Sequence, residues 1–245
     1  MSLQPRNATV QQPADTTPAI AACGLGKALD DRQILREINL RVAAGEYIGL
    51  LGANGAGKTT LLKILATLMP PSQGEVCLFG QKLSPSNVAV RARIGLIGHQ
   101  PMLYRDLSAR ENLTFFARLY AVNDAPARVD RMLRMVGLAD RADDPVKNFS
   151  RGMVQRLSIA RALLHEPWLI LADEPFAGLD APSIQSLEQL LQRLNAAGRT
   201  IVMVNHDIEQ TLRLAERAIV LREGRIVLDQ QTHRLYAREV LSEVS

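Results

Sequence analysis

The sequence predicts an α/β fold in which a mostly parallel sheet is covered on both faces by helices. Three observations predict it. Short apolar runs at residues 47–51, 168–172 and 200–204 read as buried strands. Stretches of helical period follow them, at residues 60–69, 183–194 and 207–218. Glycines and prolines punctuate the boundaries, so strand and helix alternate at the rhythm of parallel βα units. At 245 residues the chain can bury one large core, with room for a small inserted subdomain.

Residues 1–18 are polar and rich in Gln, Thr and Pro, without the apolar centre of a signal peptide, and are expected to form a disordered tail. From Ala19 the pattern is strand-like through Ile20, then a turn, then residues 34–42 in partial alternation. Gly45 turns the chain into the strand at 47–51. The run Gly52-Ala53-Asn54-Gly55-Ala56-Gly57-Lys58-Thr59 follows directly, and Thr60 leads into a helix that Pro70-Pro71 stops. Residues 72–74 read as a loop, 75–79 as a strand, and 93–98 as a second buried strand ending at His99-Gln100-Pro101.

The middle of the chain changes character. Ser108 and Glu111 form a capping box ahead of an amphipathic helix through Tyr120. Residues 126–136 give another helix, closed by Gly137, and residues 150–164 a third. Residues 101–152 are therefore expected to be a helical insert. After the α/β alternation resumes, residues 218–221 and 225–228 pair as a hairpin through Glu223-Gly224. The main domain is expected over residues 19–235, with 236–245 as a C-terminal tail.

Strand, glycine-rich turn and helix in that order at residues 47–69 form a phosphate-binding loop. Glycines at 52, 55 and 57 let successive N–H groups face one anion, and the helix N-terminus adds positive potential there. Lys58 can reach the β- and γ-phosphates, and the Thr59 hydroxyl can hold Mg²⁺. Asp173-Glu174 closes the strand at 168–172. An acid at that strand end can reach Mg²⁺ beside the loop, so Asp173 is expected to hold the metal, directly or through water. Glu174 is expected to accept the proton of the attacking water, or to orient it.

Bulk properties exclude other classes. A hydrophobic content of 47% and a charged content of 22% suit a folded chain, and no apolar run approaches a membrane span. Net charge is +4, without a basic stripe interleaved with aromatics, so nucleic acid is not an expected partner. Cys23 and Cys77 stand in no ligand spacing and are expected to be buried small hydrophobes in a reducing compartment.

Five motifs in order resemble the nucleotide-binding subunit of ATP-binding cassette (ABC) transporters over residues 19 to about 230. Beside the phosphate loop (Gly52, Ala53, Asn54, Gly55, Ala56, Gly57, Lys58, Thr59, Thr60), residues 171–175 resemble its Walker B strand and Ala177-Gly178-Leu179-Asp180 its D-loop. Gln100 falls at its Q-loop glutamine and His206 at its switch histidine. Phe149-Ser150-Arg151-Gly152-Met153-Val154-Gln155-Arg156 resembles its signature motif. The resemblance implies a P-loop NTPase with a RecA-like sheet, an N-terminal antiparallel β subdomain and an inserted helical subdomain. It implies ATP and Mg²⁺, the metal held by Thr59, Asp173 and Gln100. Glu174 and His206 would be catalytic. Ser150, Arg151, Gly152, Met153 and Gln155 would face ATP held by a second copy or a paired subunit. Residues 101–107 would receive a polytopic membrane subunit, placing the chain in the cytoplasm on the inner face of the membrane.

Two features depart from the family pattern. No Phe, Trp or Tyr occurs before Tyr47, and Leu29 takes the place of the aromatic that stacks on adenine. Arg151 and Met153 replace the usual Gly and Gln; Arg151 either adds positive charge near the γ-phosphate or points to solvent. Residues 98–101 and 106–113 are similar to the haem exporter subunit of cytochrome c maturation. Alternatives are an exporter of drugs, lipids or polysaccharide, or a soluble ATPase of nucleic-acid repair or translation.

Overall fold

The computed structural model describes residues 17–84, 86–98 and 100–244; most of the expected N-terminal tail, with His99 and Ser245, lies outside the described residues. Two sheets organise the chain. The first is antiparallel, in the order β2-β1-β4-β5, from β1 (Ile20–Leu29), β2 (Arg32–Val42), β4 (Gln73–Leu78) and β5 (Gln81–Lys82). The second has the order β10-β9-β3-β8-β7-β6, from β3 (Tyr47–Leu51), β6 (Ile94–Ile97), β7 (Leu169–Asp173), β8 (Thr200–Val204), β9 (Arg217–Arg222) and β10 (Arg225–Gln231). Its strands are parallel except the β9–β10 hairpin. This is the mostly parallel sheet that the strand–helix alternation predicts, with the antiparallel β subdomain that the resemblance implies.

Side-chain alternation explains why the central strands read as unbroken apolar runs. Ile48, Leu50, Leu169, Leu171, Val202 and Val204 enter the core shared with the antiparallel sheet and with α1 (Lys58–Leu65). Tyr47, Ile170, Ala172, Ile201 and Met203 enter the opposite core. There they meet α3 (Ala109–Leu119), α4 (Ala125–Met135), α5 (Arg151–Leu163) and α6 (Ala181–Ala196). A strand buried on both faces has no polar positions to alternate. Between the sheets, Arg217 Nη1 donates to the Arg41 carbonyl at 3.0 Å and pairs with Glu46 at 3.1 Å.

Several sequence expectations need correction. The helix after the glycine loop starts at Lys58, directly behind the left-handed Gly57, and ends before Thr67, whose φ is +61°. Residues 72–74 are not all loop: β4 begins at Gln73, which pairs with Gly26. The helix expected over 207–218 is only α7 (Ile208–Leu214). Ala215 turns extended and Glu216 N–H donates to the Tyr47 carbonyl at 2.9 Å, drawing the chain into β9. The expected C-terminal tail contains α8 (Ala237–Val244), whose Val240 is fully buried against Leu51, Ala218 and Val220. Eight residues do not hold a helix in water unaided, so this docking maintains it. Cys23 is exposed and Cys77 partly so, because Cys23 follows the buried Ala22 on the opposite face of β1 and Cys77 stands between the buried Val76 and Leu78 of β4. Ser108 and Glu111 do form a reciprocal capping box, and they lead into α3. The four-residue helix α2 (Val88–Arg91) joins β5 to β6.

Candidate functional site

Four adjacent parallel strands end on one edge of the large sheet. Leu50 of β3 pairs with Val204 of β8, Val204 with Asp173 of β7, and Ala172 with Ile97 of β6. The segments after these ends carry the glycine loop, His206, Glu174 and Gln100 respectively. The carboxyl ends of parallel strands are where open α/β sheets hold ligands.

The loop after β3 needs its glycines. Gly52 has φ +146°, and a Cβ there would stand 2.2 Å from the Leu221 carbonyl oxygen; Gly57 has φ +105°, and a Cβ would meet Leu35 Cδ2 at 2.7 Å. The turn is braced from the β9–β10 hairpin, where Gly224 N–H donates to the Ala56 carbonyl at 3.2 Å. Lys58 is buried at the head of α1, and its Nζ donates to the Gly52 and Ala53 carbonyls at 2.6 and 2.8 Å. Burial lowers its pKa, while Glu174 and then Asp173 oppose that shift. The loop's outer residues Ala53, Asn54, Gly55 and Thr59 are exposed, and Thr60 is half-buried. An anion arriving here would meet a buried ammonium and a helix N-terminus together.

Asp173 ends β7 and is almost fully buried. Glu174 follows at φ +53°, a left-handed backbone that costs of order 1–3 kcal/mol in a residue with a side chain. Its N–H donates to the Val204 carbonyl at 3.0 Å. Its carboxylate Oε1 lies 2.7 Å from His206 Nε2. The imidazole expected to face a phosphate is thus in contact with the carboxylate expected to handle the water. Buried Asn205, which the sequence reading passed over, fixes the histidine: its Oδ1 accepts from His206 N–H at 2.9 Å and its Nδ2 donates to Gln210 Oε1 at 2.8 Å. The only local signal was a polar residue closing an apolar strand.

Ser150 caps α5, its Oγ accepting from Met153 N–H at 3.3 Å. Among the described residues, no hydrogen bond joins Ser150, Arg151, Gly152 or Met153 to the glycine loop of the same chain. Arg151 lies along the D-loop: a Cβ on Gly178 would come within 3.0 Å of its Cδ and Nε. Gln155 Nε2 donates to the Pro175 carbonyl of its own chain at 3.0 Å. Asp180 caps α6 by accepting from Ser183 N–H at 3.0 Å, and the Ser183 hydrogen bonds hold its carboxyl below the usual range. A cleft of about 270 Å³ brings Gly98 and Pro101, beside Gln100, together with Arg151, Gln155, Glu174 and Ala177.

A family model described as the ABC transporter matches residues 35–177. The chain belongs to the ABC transporter family. It is the ATP-binding subunit, and its enzymatic activity is ATP hydrolysis coupled to transport. Over 208 residues it is 37% identical to the ABC transporter ATP-binding protein NatA of Bacillus subtilis, covering 84% of this chain and 85% of that one. Over 226 residues it is 37% identical to the daunorubicin resistance ATP-binding protein DrrA3 of Streptomyces coeruleorubidus, covering 91% and 71%. The dimeric ATP-binding cassette MJ0796 bound to ADP and Pi superposes with a TM-score of 0.80 at 30% identity, covering 87% and 98%. CbiO1 of Clostridium perfringens, part of the transporter complex cbiONQ, superposes at 0.78 with 27% identity, covering 92% and 93%.

This ABC transporter subunit has a second distinctive surface on its helical insert. Met102 (φ +52°), Tyr104, Phe115 and Leu119 are exposed, and Tyr104 packs edge-on to Phe115 at 5.1 Å and against Phe116 at 6.3 Å. Below them, nearly buried Arg161 of α5 places its guanidinium 5.5 Å from the Phe116 ring centre. The same guanidinium donates to the Leu96 carbonyl of β6 at 2.6 Å. One side chain therefore connects the exposed aromatic patch to the strand that leads to Gln100.

Proposed function

We propose that the chain powers export of an amphipathic organic molecule, working as a pair of copies on the cytoplasmic face of a membrane and driving separate polytopic subunits. The observation carrying the catalytic part is the 2.7 Å contact of His206 with Glu174, beside the strand ends that hold Lys58 and Asp173. Lys58 and the loop amides receive the triphosphate; Glu174 takes the proton of the attacking water; His206 orients Glu174 and faces the γ-phosphate. The available metal donors, a hydroxyl at Thr59, a carboxylate at Asp173 and an amide oxygen at Gln100, are all oxygens and suit Mg²⁺. When bound, that ion would neutralise charge on the phosphates. Ser150, with the amides at the head of α5, would close on ATP held by the second copy. The dimeric cassette among the structural neighbours supports that arrangement.

Export is favoured by relatives named for daunorubicin resistance and Nod factor export. A second reading, haem as cargo, rests on the resemblance of residues 98–101 and 106–113 to the haem exporter subunit. Vesicles containing the membrane subunits, loaded in parallel with haem and with an amphipathic drug, separate the two by which cargo ATP moves.

The aromatic patch on the insert is the docking surface for the membrane subunit. An exposed cluster of Met, Tyr and Phe suits an apolar partner element. Met102→Asp with Tyr104→Asp is expected to abolish transport while the isolated subunit keeps its ATPase rate within about twofold, since exposed substitutions rarely disturb a fold. Intact transport in that double variant would disprove docking here.

Base selection is expected to be weak. Leu29, partly exposed at the end of β1, offers no ring for stacking, which contributes roughly 1–3 kcal/mol per base. GTP should therefore be hydrolysed with a kcat/KM within about tenfold of ATP. A preference for ATP of several hundredfold would mean that another group reads the adenine.

A further inference from the structure

We propose that Gln155 is a positioning residue for the hydrolytic carboxylate of Glu174, holding it through the neighbouring peptide; the proposal rests on the reading of Glu174 given above. The loop leaving β7 is gripped from two sides. On the sheet side, Glu174 N–H donates to the Val204 carbonyl. Within the loop, Ala177 N–H donates to the Glu174 carbonyl at 3.1 Å and Leu179 N–H to the Phe176 carbonyl at 3.2 Å. The Pro175 carbonyl, one peptide beyond Glu174, accepts from Gln155 Nε2. Because Pro175 has no N–H, the Glu174–Pro175 peptide offers the sheet no donor, and the side chain from α5 tethers the next peptide through its carbonyl.

The rest of α5 follows the same loop. Gly152 comes close enough that a Cβ there would lie 3.4 Å from the Gly178 carbonyl oxygen, and the Arg151 side chain covers Gly178 itself. Residues 151, 152 and 155 fall on one helical face, so the first turn of α5 runs along residues 175–178. Glu174 stands in a left-handed backbone conformation, which persists only where its surroundings hold it. Releasing the Pro175 carbonyl lets that backbone relax and shifts the carboxylate. Because Gln155 makes its contact inside its own chain, its effect falls on the chemical step rather than on nucleotide affinity.

The test uses the full chain with ATP and Mg²⁺, measuring kcat and KM from pH 5.5 to 8.5. Gln155→Leu is expected to lower kcat about 10–100-fold, the scale of a misplacement near 1 Å, with KM changed less than about threefold. Gln155→Asn, which keeps the amide but shortens its reach, should behave alike and stands in if the leucine variant does not fold. Gln155→Glu gives the decisive readout. Above its pKa the introduced carboxylate faces the Pro175 carbonyl, two acceptors with no proton between them, and kcat is low. Below it the carboxyl donates a proton to the same oxygen, so the ratio of variant to wild-type kcat climbs as pH falls. A merely structural role would leave that ratio flat. A flat ratio, or unchanged kcat in the leucine and asparagine variants while Glu174→Gln is inactive, overturns the proposal. Wild-type turnover in Glu174→Gln would instead remove the reading of Glu174 on which it rests.

Discussion

Replacing Glu174 by Gln is expected to leave ATP binding intact and to lower kcat by about 10²–10⁴-fold, the usual contribution of a positioned proton acceptor. The substitution keeps the shape of the site. An amide oxygen can accept from His206 Nε2 where Oε1 now stands at 2.7 Å, and the backbone bond to the Val204 carbonyl is untouched. The Glu174 side chain is about one-third exposed, and buried Lys58, which feels its charge, keeps Asp173 and the Gly52 and Ala53 carbonyls when that charge is lost. Only the ability to take a proton disappears. If two copies close on uncleaved ATP, the variant should accumulate as a dimer in sizing chromatography with ATP and Mg²⁺, whereas wild-type protein returns to monomer as it turns over. Single-turnover hydrolysis measures the chemical step directly. Turnover equal to wild type would assign the proton to water or to His206 instead.

The parts of the site that are legible in the sequence are those whose chemistry is local. The glycine loop, with Lys58 and Thr59, is readable because a buried strand must turn into a helix there, and only glycine tolerates the conformations at 52 and 57. Asp173-Glu174 is readable because two acids interrupt an apolar run where a parallel strand ends. The capping box at Ser108 and the Ser150 cap lie within four residues of their partners. Contacts between distant segments leave no such trace. Gln155 reaches Pro175, and Gly224 braces Ala56, because packing of helix and hairpin brings them together, and no spacing rule encodes either. Element ends were misread for the same reason. Residues 207–218 have helical composition, but the Tyr47 carbonyl captures Glu216 and ends α7 early. Residues 236–245 look like a polar end until Val240 finds a pocket on β3 and β9.

Lys58→Ala is expected to remove tight nucleotide binding while hardly changing the stability of the protein without nucleotide. The two consequences separate because the lysine has different partners in the two states. Without nucleotide, its ammonium is nearly buried and held by the Gly52 and Ala53 carbonyls. Those hydrogen bonds offset a desolvation cost large enough to lower its pKa. Deleting the side chain removes the bonds and the cost together. Ala53 is exposed, and the space the lysine vacates lets water reach the buried Gly52 carbonyl, so the net change in unfolding free energy should stay within about 1 kcal/mol. With a triphosphate present, the same ammonium turns to phosphate oxygens, and each charge-assisted hydrogen bond contributes about 1.5–3 kcal/mol. Losing two such bonds weakens binding by about 100-fold or more. Thermal melting with and without ATP reads both effects in one experiment. Wild-type protein should melt higher as ATP is added, since ligand that binds only the folded state stabilises it by mass action. The variant should melt close to wild type without ATP and should not respond to it at concentrations that saturate wild type. An ATP-dependent shift of wild-type size in Lys58→Ala would mean that the loop amides and the helix terminus hold the phosphates without the lysine.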